Sequence, residues 1–250
     1  MFRRLRSLTR RVKEEGILSA SSFVAARAVR LVRTVSFQVP NTIGENLNRW
    51  SKHDWSARGE EWTPGSDWKL SLVQHVLEPN IPVGSRVLEI GPGGGRWTDF
   101  LVQRAGHLTV VDLTPQCISV CRERFKDCRN ISYFVNDGRD LSFIPPGSID
   151  RVWSFDVFVH IHSQDIENYV RQFSVLLAEA GRGVIHHSAR GTQTKGWRSD
   201  MTSQKMLDMC AKYGLRVLSQ LTSWEENRFH ISPDAPEQSV DIITVFEKSR

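Results

Sequence analysis

Residues 87–95 read VLEIGPGGG, an apolar run that leads into the glycines Gly91, Gly93 and Gly95. Glycine allows a positive φ and a close approach of the backbone to a ligand, so this loop is a candidate binding loop. Asp112 ends the next apolar run, 21 residues after Gly91. A carboxylate at that distance suits the two hydroxyls of a ribose. The G-x-G-x-x-G spacing of dinucleotide-binding loops is not met, because Arg96 stands at its sixth position.

Two pairs of histidines follow two later apolar runs: His160 and His162, then His186 and His187. Imidazole titrates near neutrality, which suits a general base that takes a proton from an acceptor group. A histidine in such a position can equally be structural. Both interpretations are open for each pair.

The elements that would position these residues are seven apolar runs that alternate with helix-length segments from about Leu70 onward. The runs are Arg86–Ile90, Leu108–Asp112, Ile131–Val135, Arg151–Phe155, Gly183–His187, Leu215–Leu221 and Val240–Phe246. Continuous apolar strands separated by helices are typical of an α/β fold with a parallel sheet covered on both faces. No helix-like segment separates the last two runs, which predicts an antiparallel final pair. Ligands bind such sheets at the carboxyl ends of the strands.

Val87–Gly95 resembles the first motif of the class I S-adenosylmethionine-dependent methyltransferases, which reads apolar–apolar–acid–apolar–G-x-G-x-G. The resemblance covers roughly Leu70 to Phe246 and implies a Rossmann-like, seven-stranded, mostly parallel sheet with an antiparallel last strand. It also implies S-adenosylmethionine as the cofactor. In this resemblance Asp112 holds the ribose, Asp137 the adenine amino group and Gly91–Gly95 the methionine portion, and Asp156 lies near the reactive methyl. The implied cofactor-binding set is Glu89, Gly91, Gly93, Gly95, Asp112, Leu113, Asp137, Gly138 and Asp156.

Two of these acids have simpler explanations. Asp112 can cap a helix before Thr114-Pro115, and Asp137 can stabilise a turn before Gly138. Their order at the ends of successive strands is what favours the cofactor assignment.

A divalent metal is an alternative role for Asp156 and His160. The stretch DVFVH is similar to the E-x-x-E-H segment of magnesium- or manganese-dependent members, which include ubiquinone-biosynthesis and small-RNA 2′-O-methyltransferases. Val159 stands where the second carboxylate belongs, and a hard cation such as magnesium prefers oxygen ligands. His186 or His187 would have to supply the missing ligand.

The acceptor is predicted from a tryptophan-rich segment and from a loop after the fifth strand. Tryptophan faces pack on the C–H faces of sugars, and polar neighbours bind hydroxyls. The candidate substrate residues are Trp50, His53, Trp55, Trp62, Trp197 and Arg198. The chain resembles the methyltransferases that modify sugars in bacterial glycans and polysaccharides, which implies O-methylation of a sugar or glycan hydroxyl. Three alternatives remain: a quinone-like or lipid small molecule at a membrane surface, a non-catalytic binding subunit, and tryptophans that only anchor a lid.

The positive charge is concentrated at the N-terminus. Residues 1–34 hold nine Arg or Lys and two Glu, whereas the whole chain has a net charge of +5. The body therefore lacks a basic groove, and no nucleic-acid partner is predicted. We expect residues 1–68 to form a basic amphipathic arm and a tryptophan-rich lid, and residues 69–250 to form the cofactor-binding domain. The arm can contact an anionic membrane, pack in a homodimer or remain solvated. With no apolar run of about 20 residues, we expect a cytoplasmic, membrane-peripheral protein.

Overall fold

The computed structural model of the chain describes residues 41–191, 198–234 and 239–249. The predictions for the basic arm at residues 1–34 and for Trp197 fall outside these ranges. Within the described ranges, no helix is long and apolar enough to cross a membrane.

All seven predicted strands are present; the fifth begins at Leu177, six residues before its expected start, and all other bounds lie within three residues of those expected. The main-sheet strands are β1 (Arg86–Ile90), β2 (His107–Asp112), β3 (Ile131–Val135), β4 (Ile149–Phe158), β5 (Leu177–Ser188), β6 (Leu215–Leu221) and β9 (Asp241–Lys248). A separate small hairpin is formed by β7 (Ser223–Trp224) and β8 (Phe229–His230). The prediction of a seven-stranded α/β sheet is confirmed.

The sheet has the strand order β3-β2-β1-β4-β5-β9-β6. Neighbouring strands from β3 to β5 are parallel, and β9 is antiparallel to both β5 and β6. The predicted antiparallel last strand is therefore confirmed. The order of strands along the chain reverses between β1 and β4. This is where the loops at the carboxyl ends of parallel strands diverge and leave a crevice.

Helices cover the sheet and connect its strands. They are α1 (Ile43–Trp50), α2 (Ser66–Leu72), α3 (Glu78–Asn80), α4 (Thr98–Arg104), α5 (Pro115–Arg124), α6 (Ser163–Leu176) and α7 (Ser203–Lys212). A π-helical stretch, Val73–Leu77, joins α2 to α3. The start of α5 follows the usual rules, since the Thr114 side chain accepts a hydrogen bond from the Cys117 N–H and Pro115 occupies the first turn.

Both faces of the sheet are buried, which explains why its strands read as continuous apolar runs. Side chains alternate between the two faces of a strand. In β1, Val87 joins a core cluster with Trp97 and Leu108, whereas the next residue, Leu88, joins a separate cluster with Phe173 and Ile185. The central strands are thereby held rigidly, and their carboxyl ends provide a fixed platform for the site.

Candidate active site

A cavity of about 540 Å³ opens at the carboxyl ends of β1, β2, β4 and β5. Many of the residues predicted from the sequence line it: Gly91, Gly93, Asp112, Leu113, Gly138, Asp156, His160, His186, Trp50, Trp55, Trp62 and Arg198. Six others do not reach its wall: Glu89, Gly95, Asp137, His53, His162 and His187.

The glycine loop needs glycine at each of its three predicted positions. Gly91, Gly93 and Gly95 have φ values of +71°, +55° and +87°, in the left-handed region. A Cβ on Gly91 would collide with the Val157 side chain, and one on Gly93 would lie 2.5 Å from the Trp55 ring. The loop therefore presents bare backbone to the cavity between two apolar side chains.

Glu89 lies beneath this loop and is 2 % exposed. The Thr98 hydroxyl donates a hydrogen bond of 2.7 Å to its Oε2. Burial raises the pKa of Glu89 to about 8, because the ionised form loses its hydration. Glu89 thus supports the loop from inside the protein.

Asp112 lies at the end of β2, two residues before Thr114, the N-cap of α5, and faces the cavity. Its Oδ1 accepts hydrogen bonds from the Thr114 N–H at 2.7 Å and the Thr114 hydroxyl at 2.9 Å. Burial raises its pKa to about 6, although these hydrogen bonds oppose the shift. The N-cap of α5 is therefore Thr114 and not Asp112, which orders the turn before the helix and faces the cavity.

Beyond Asp112, the wall is formed by residues around the end of β3. Asp137 is exposed, and its Oδ1 accepts hydrogen bonds from the backbone N–H groups of Arg139 and Asp140, as in an ordinary turn. Its neighbours Asn136 and Gly138 line the cavity instead. Of the two residues predicted in this loop, Gly138 lies on the cavity wall and Asp137 does not, and Asn136 was not predicted.

The four candidate histidines separate into two kinds. His187 is fully buried and satisfied: its Nδ1 lies 2.8 Å from the Ser188 carbonyl and its Nε2 lies 2.7 Å from the Thr244 hydroxyl. Burial lowers its pKa to about 4, so it remains neutral. His162 caps α6, where its Nδ1 accepts a hydrogen bond from the Gln164 N–H.

His160 and His186 are the two histidines on the cavity wall.

His186 is held by Asp156 at the deep end of the cavity. Its Nδ1 lies 2.9 Å from Asp156 Oδ1, and its ring stacks on Phe155 at a centroid distance of 4.3 Å. The other oxygen of Asp156 is bound by the buried Arg96 guanidinium. Desolvation alone would raise the pKa of Asp156, but Arg96 and His186 lower it well below its usual value. The Asp156 backbone N–H also lies 3.1 Å from His186 Nδ1 and donates to it, whereas His186 Nε2 is buried with no hydrogen-bond partner among the described residues.

A second ion pair lies on the other side of His186. Asp241, at the start of β9, is 3 % exposed and binds Arg198 Nη1 through its Oδ2 at 2.9 Å. The same oxygen is 4.0 Å from His186 Nε2. Burial raises the pKa of Asp241, and the nearby Arg198 and His186 oppose that shift. His186 is therefore flanked by two carboxylates, each of which is paired with an arginine.

The tryptophan-rich segment (residues 50–62) packs on itself at the mouth of the cavity. The ring centroids of Trp50, Trp55 and Trp62 are 5.8–6.1 Å apart. His53 fills the space between them, 4.6 Å from Trp55 and 4.9 Å from Trp62, and binds Glu61 through Nε2 at 2.8 Å. The tryptophans reach the cavity, but His53 is occupied within the cluster.

The residues around Asp156 do not fit a magnesium site. The Arg96 guanidinium already occupies one oxygen of Asp156, and its positive charge opposes a second cation there. His160 instead lies against Trp50, with ring centroids 5.3 Å apart. In the part of the chain that the structure describes, no cluster of three or more His, Cys, Asp or Glu is arranged to hold a metal ion.

Comparison with known proteins agrees with this geometry. Residues 87–181 match the family described as "Methyltransferase domain". Over these residues the chain is similar to a methyltransferase domain. It is 27 % identical over 136 residues to the ubiquinone biosynthesis O-methyltransferase of Xanthomonas axonopodis pv. citri, which is 54 % of either chain. The chain thus spans about half the length of the curated relatives it matches.

Solved structures show the same fold at low sequence identity. An S-adenosylmethionine-dependent methyltransferase from Mesorhizobium loti superimposes with a TM-score of 0.60 at 14 % identity, over 75 % of this chain and all of the other. The N-methyltransferase NodS from Bradyrhizobium japonicum, in complex with S-adenosyl-L-homocysteine, gives a TM-score of 0.60 at 17 % identity. That match covers 83 % of this chain and 99 % of NodS.

Two residues of the cavity wall, Arg96 and Asp241, were missed as functional candidates in the sequence. In the sequence, Arg96 was noted only because it stands where the G-x-G-x-x-G pattern of dinucleotide-binding loops requires its third glycine. Asp241 gave no signal, because it belongs to a strand 55 positions beyond His186 and meets it only through the pairing of β9 with β5. His186 and Asp241 also lie outside the matched residues 87–181.

Proposed function

We propose that this protein transfers a methyl group from S-adenosylmethionine to a hydroxyl of a small, quinol-like aromatic acceptor. The observation that carries the proposal is the Asp156–His186 pair, which lies on the wall of the cavity that also contains Gly91, Gly93 and Asp112. A cofactor cradle and an oriented general base thus share one cavity.

The residues at one end of the cavity fit the cofactor. Bare backbone at Gly91 and Gly93 leaves room for the methionine portion, and the Asp112 carboxylate suits the ribose hydroxyls. Asn136 and Gly138 line the wall beyond, where the adenine would lie. When bound, S-adenosylmethionine supplies an electrophilic sulfonium methyl group and leaves as a neutral thioether.

The residues of the chain would align the acceptor hydroxyl with the methyl group and provide a base that takes the hydroxyl proton. Arg96 keeps Asp156 ionised, and the Asp156 carboxylate, 2.9 Å from His186 Nδ1, would favour the His186 tautomer that carries its proton on Nδ1, in place of the 3.1 Å hydrogen bond from the Asp156 backbone N–H to that nitrogen. The Nε2 lone pair can then accept the hydroxyl proton as the oxygen attacks the methyl carbon. General-base help of this kind typically contributes 10²–10⁴-fold to the rate. A hydroxyl needs this help, whereas a neutral amine already has a lone pair, so the Asp156–His186 pair favours an oxygen acceptor.

The acceptor class rests on the cavity wall and on the relatives. Trp50, Trp68, Trp97 and Phe155 line the cavity and give it flat apolar surfaces that suit an aromatic ring. The similarity to ubiquinone biosynthesis O-methyltransferases favours the quinone-like alternative. The sugar or glycan acceptor predicted from the tryptophans has no support among these relatives. His53, predicted to bind sugar hydroxyls, is instead bound to Glu61.

The direct test is methyl transfer from labelled S-adenosylmethionine to a panel of acceptors, with and without a chelator. The panel contains catechol and hydroquinone as quinol-like probes and glucose and mannose as sugars. We expect label in a quinol-like probe, no loss with chelator, and at least about 100-fold less label with His186→Gln. Label in the sugars alone would reject the aromatic acceptor. No label in any probe, with cofactor binding intact, would reject the proposed activity for this panel's acceptor class.

A further inference from the structure

The glycine loop is bound on one side by the helix α5. Three consecutive carbonyl groups of the loop accept hydrogen bonds from two side chains of this helix. The Cys121 thiol donates to the Gly93 carbonyl at 3.4 Å, and Arg124 Nη1 donates to the carbonyls of Gly94 at 3.0 Å and Gly95 at 2.9 Å. A thiol is a weak donor, whereas a guanidinium is a strong one. Arg124 is therefore the main contact of α5 with the loop, and it does not line the cavity.

Arg124 is fixed in its position by two further contacts. Its Nη2 binds the carboxylate of Asp99 in the first turn of α4, and its guanidinium lies 5.0 Å from the centre of the Phe125 ring. Only 14 % of its side chain is exposed. A hydrogen bond that is shielded from water in this way is electrostatically stronger than an exposed one. Arg124 thus links the glycine loop to both α4 and α5.

The third glycine of the loop makes room for Arg124. A Cβ on Gly95 would lie 2.8 Å from the Phe125 ring and 3.2 Å from Arg124 Nη1. Gly95 does not reach the cavity wall, whereas Gly91 and Gly93 do. The space beside Gly95 is therefore occupied by α5 and not by a ligand.

The contacts with α5 set the direction of the N–H groups in the loop. In a trans peptide, a carbonyl and the N–H of the next residue point in opposite directions, and no described peptide bond is cis. The carbonyls of Gly93 and Gly95 point toward α5, so the N–H groups of Gly94 and Arg96 point away from it. Neither N–H group has a hydrogen-bond partner among the described residues. Backbone N–H groups of a loop can bind an anion, and the methionine portion of S-adenosylmethionine ends in a carboxylate.

We propose that Arg124 is a positioning residue for S-adenosylmethionine, because it keeps the glycine loop in the conformation that receives the methionine portion. It acts through the carbonyls of Gly94 and Gly95 and does not touch the cofactor. The inference rests on the proposed function for the identity of the cofactor, but not for the acceptor. Asp112 is ordered separately, by its hydrogen bonds with Thr114 before the other end of α5. Loss of Arg124 should therefore weaken binding of the methionine portion and spare the ribose and the adenine.

Two ligands separate these portions of the cofactor. S-Adenosylhomocysteine and 5′-methylthioadenosine share the adenine, the ribose and the thioether, and only the first carries the amino-acid portion. Calorimetry with the full chain measures both affinities. In Arg124→Gln, we expect S-adenosylhomocysteine to bind at least about 10-fold more weakly, because two charge-assisted hydrogen bonds to the loop are lost. The affinity for 5′-methylthioadenosine should change by less than about 3-fold.

Three further variants assign the effect to the loop carbonyls. Arg124→Lys keeps a charged donor and should bind S-adenosylhomocysteine more tightly than Arg124→Gln does. Asp99→Asn breaks the ion pair but leaves Arg124 on the carbonyls, so the S-adenosylhomocysteine affinity should stay within about 3-fold of that of the unaltered chain. Arg122→Gln is the matched control, because Arg122 also belongs to α5 but binds the Tyr133 carbonyl in β3, away from the loop. It should leave both affinities unchanged.

The comparison of the two ligands distinguishes positioning from a general structural role. Equal weakening of both ligands in Arg124→Gln would overturn the inference, and so would unchanged binding of S-adenosylhomocysteine. An equal loss of S-adenosylhomocysteine binding in Arg122→Gln would overturn it as well. If urea titration shows that Arg124→Gln does not fold, Arg124→Lys replaces it. That variant should then bind S-adenosylhomocysteine more weakly than the unaltered chain, and 5′-methylthioadenosine equally well.

Methyl-transfer assays separate this inference from the proposed function. A selective loss of S-adenosylhomocysteine binding in Arg124→Gln, with no methyl transfer by the unaltered chain to any acceptor, would support the role of Arg124 and count against the proposed reaction. If the unaltered chain transferred methyl groups but bound S-adenosylhomocysteine no more tightly than 5′-methylthioadenosine, the reaction would stand. The loop would then contribute nothing to binding of the amino-acid portion, and the inference would be overturned.

Discussion

Trp55 lies directly on Gly93, so that a Cβ added to this glycine would come within 2.5 Å of the tryptophan ring. The neighbouring Gly94 meets the backbone of Arg58 equally closely. The sequence suggested that the loop glycines serve a ligand, but these two also make room for the tryptophan-rich segment. The glycine loop is therefore where the cavity's outer wall is attached to the sheet.

This contact predicts that Gly93→Ala disturbs both the wall and the cofactor site. We expect the free energy of unfolding to fall by about 2–4 kcal/mol, from a clash that adds to the strain of a positive φ. Calorimetry should also show weaker S-adenosylhomocysteine binding. In a Trp55→Ala background, Gly93→Ala should lower the free energy of unfolding by less, because the ring that the added methyl group contacts is absent.

Gly84→Ala is the matched control for that experiment. Gly84 also has a positive φ, +85°, but a Cβ there would meet nothing within 4 Å. The Gly84→Ala variant should lose only about 1 kcal/mol in the free energy of unfolding, from backbone strain alone, and its cofactor binding should be unchanged. Equal losses for the two glycine variants would mean that the contact with Trp55 contributes nothing.

The fold was predictable from the sequence because local patterns determine it. Continuous apolar runs marked every strand of the main sheet, and the glycine loop and Asp112 followed from spacing along neighbouring segments. The pairing around His186 was not predictable in this way. Asp241 meets His186 only because β9 pairs antiparallel with β5, which places Ser188 opposite Asp241. Such a contact depends on the register between strands that are far apart in the sequence. A single Asp at the start of an apolar run does not predict that register.

A general-base role for His186 predicts a specific kinetic pattern. His186→Gln should lower kcat by at least about 100-fold, while S-adenosylhomocysteine affinity changes less than about 3-fold. Single-turnover methyl transfer and calorimetry measure the two quantities separately. His162→Gln is the control: His162 caps α6 outside the cavity, so turnover should stay near the wild-type value. Similar activity in both variants would exclude His186 as the base.

The Asp112 carboxylate predicts a pH dependence of cofactor binding. Its pKa is raised to about 6 by burial, and only the ionised form accepts hydrogen bonds from both ribose hydroxyls. S-Adenosylhomocysteine affinity should therefore fall as the pH drops below about 6. Asp112→Asn should bind about 10-fold or more weakly at pH 8 and lose this acid dependence. An asparagine variant with unchanged affinity would show that Asp112 only orders the turn before α5.

The buried Glu89 predicts that stability falls as the pH rises. Its pKa is raised by burial from 4.5 to about 8, so between these values the folded state holds a proton that the unfolded state has lost. The free energy of unfolding should decrease across this window, by on the order of a few kcal/mol. Glu89→Gln keeps the neutral shape and should flatten the dependence in urea titrations between pH 5 and about 8. Glu123→Gln, at an exposed pair with Lys126, should leave the wild-type slope unchanged. If Glu89→Gln retained that slope as well, another buried group would have to bind the proton.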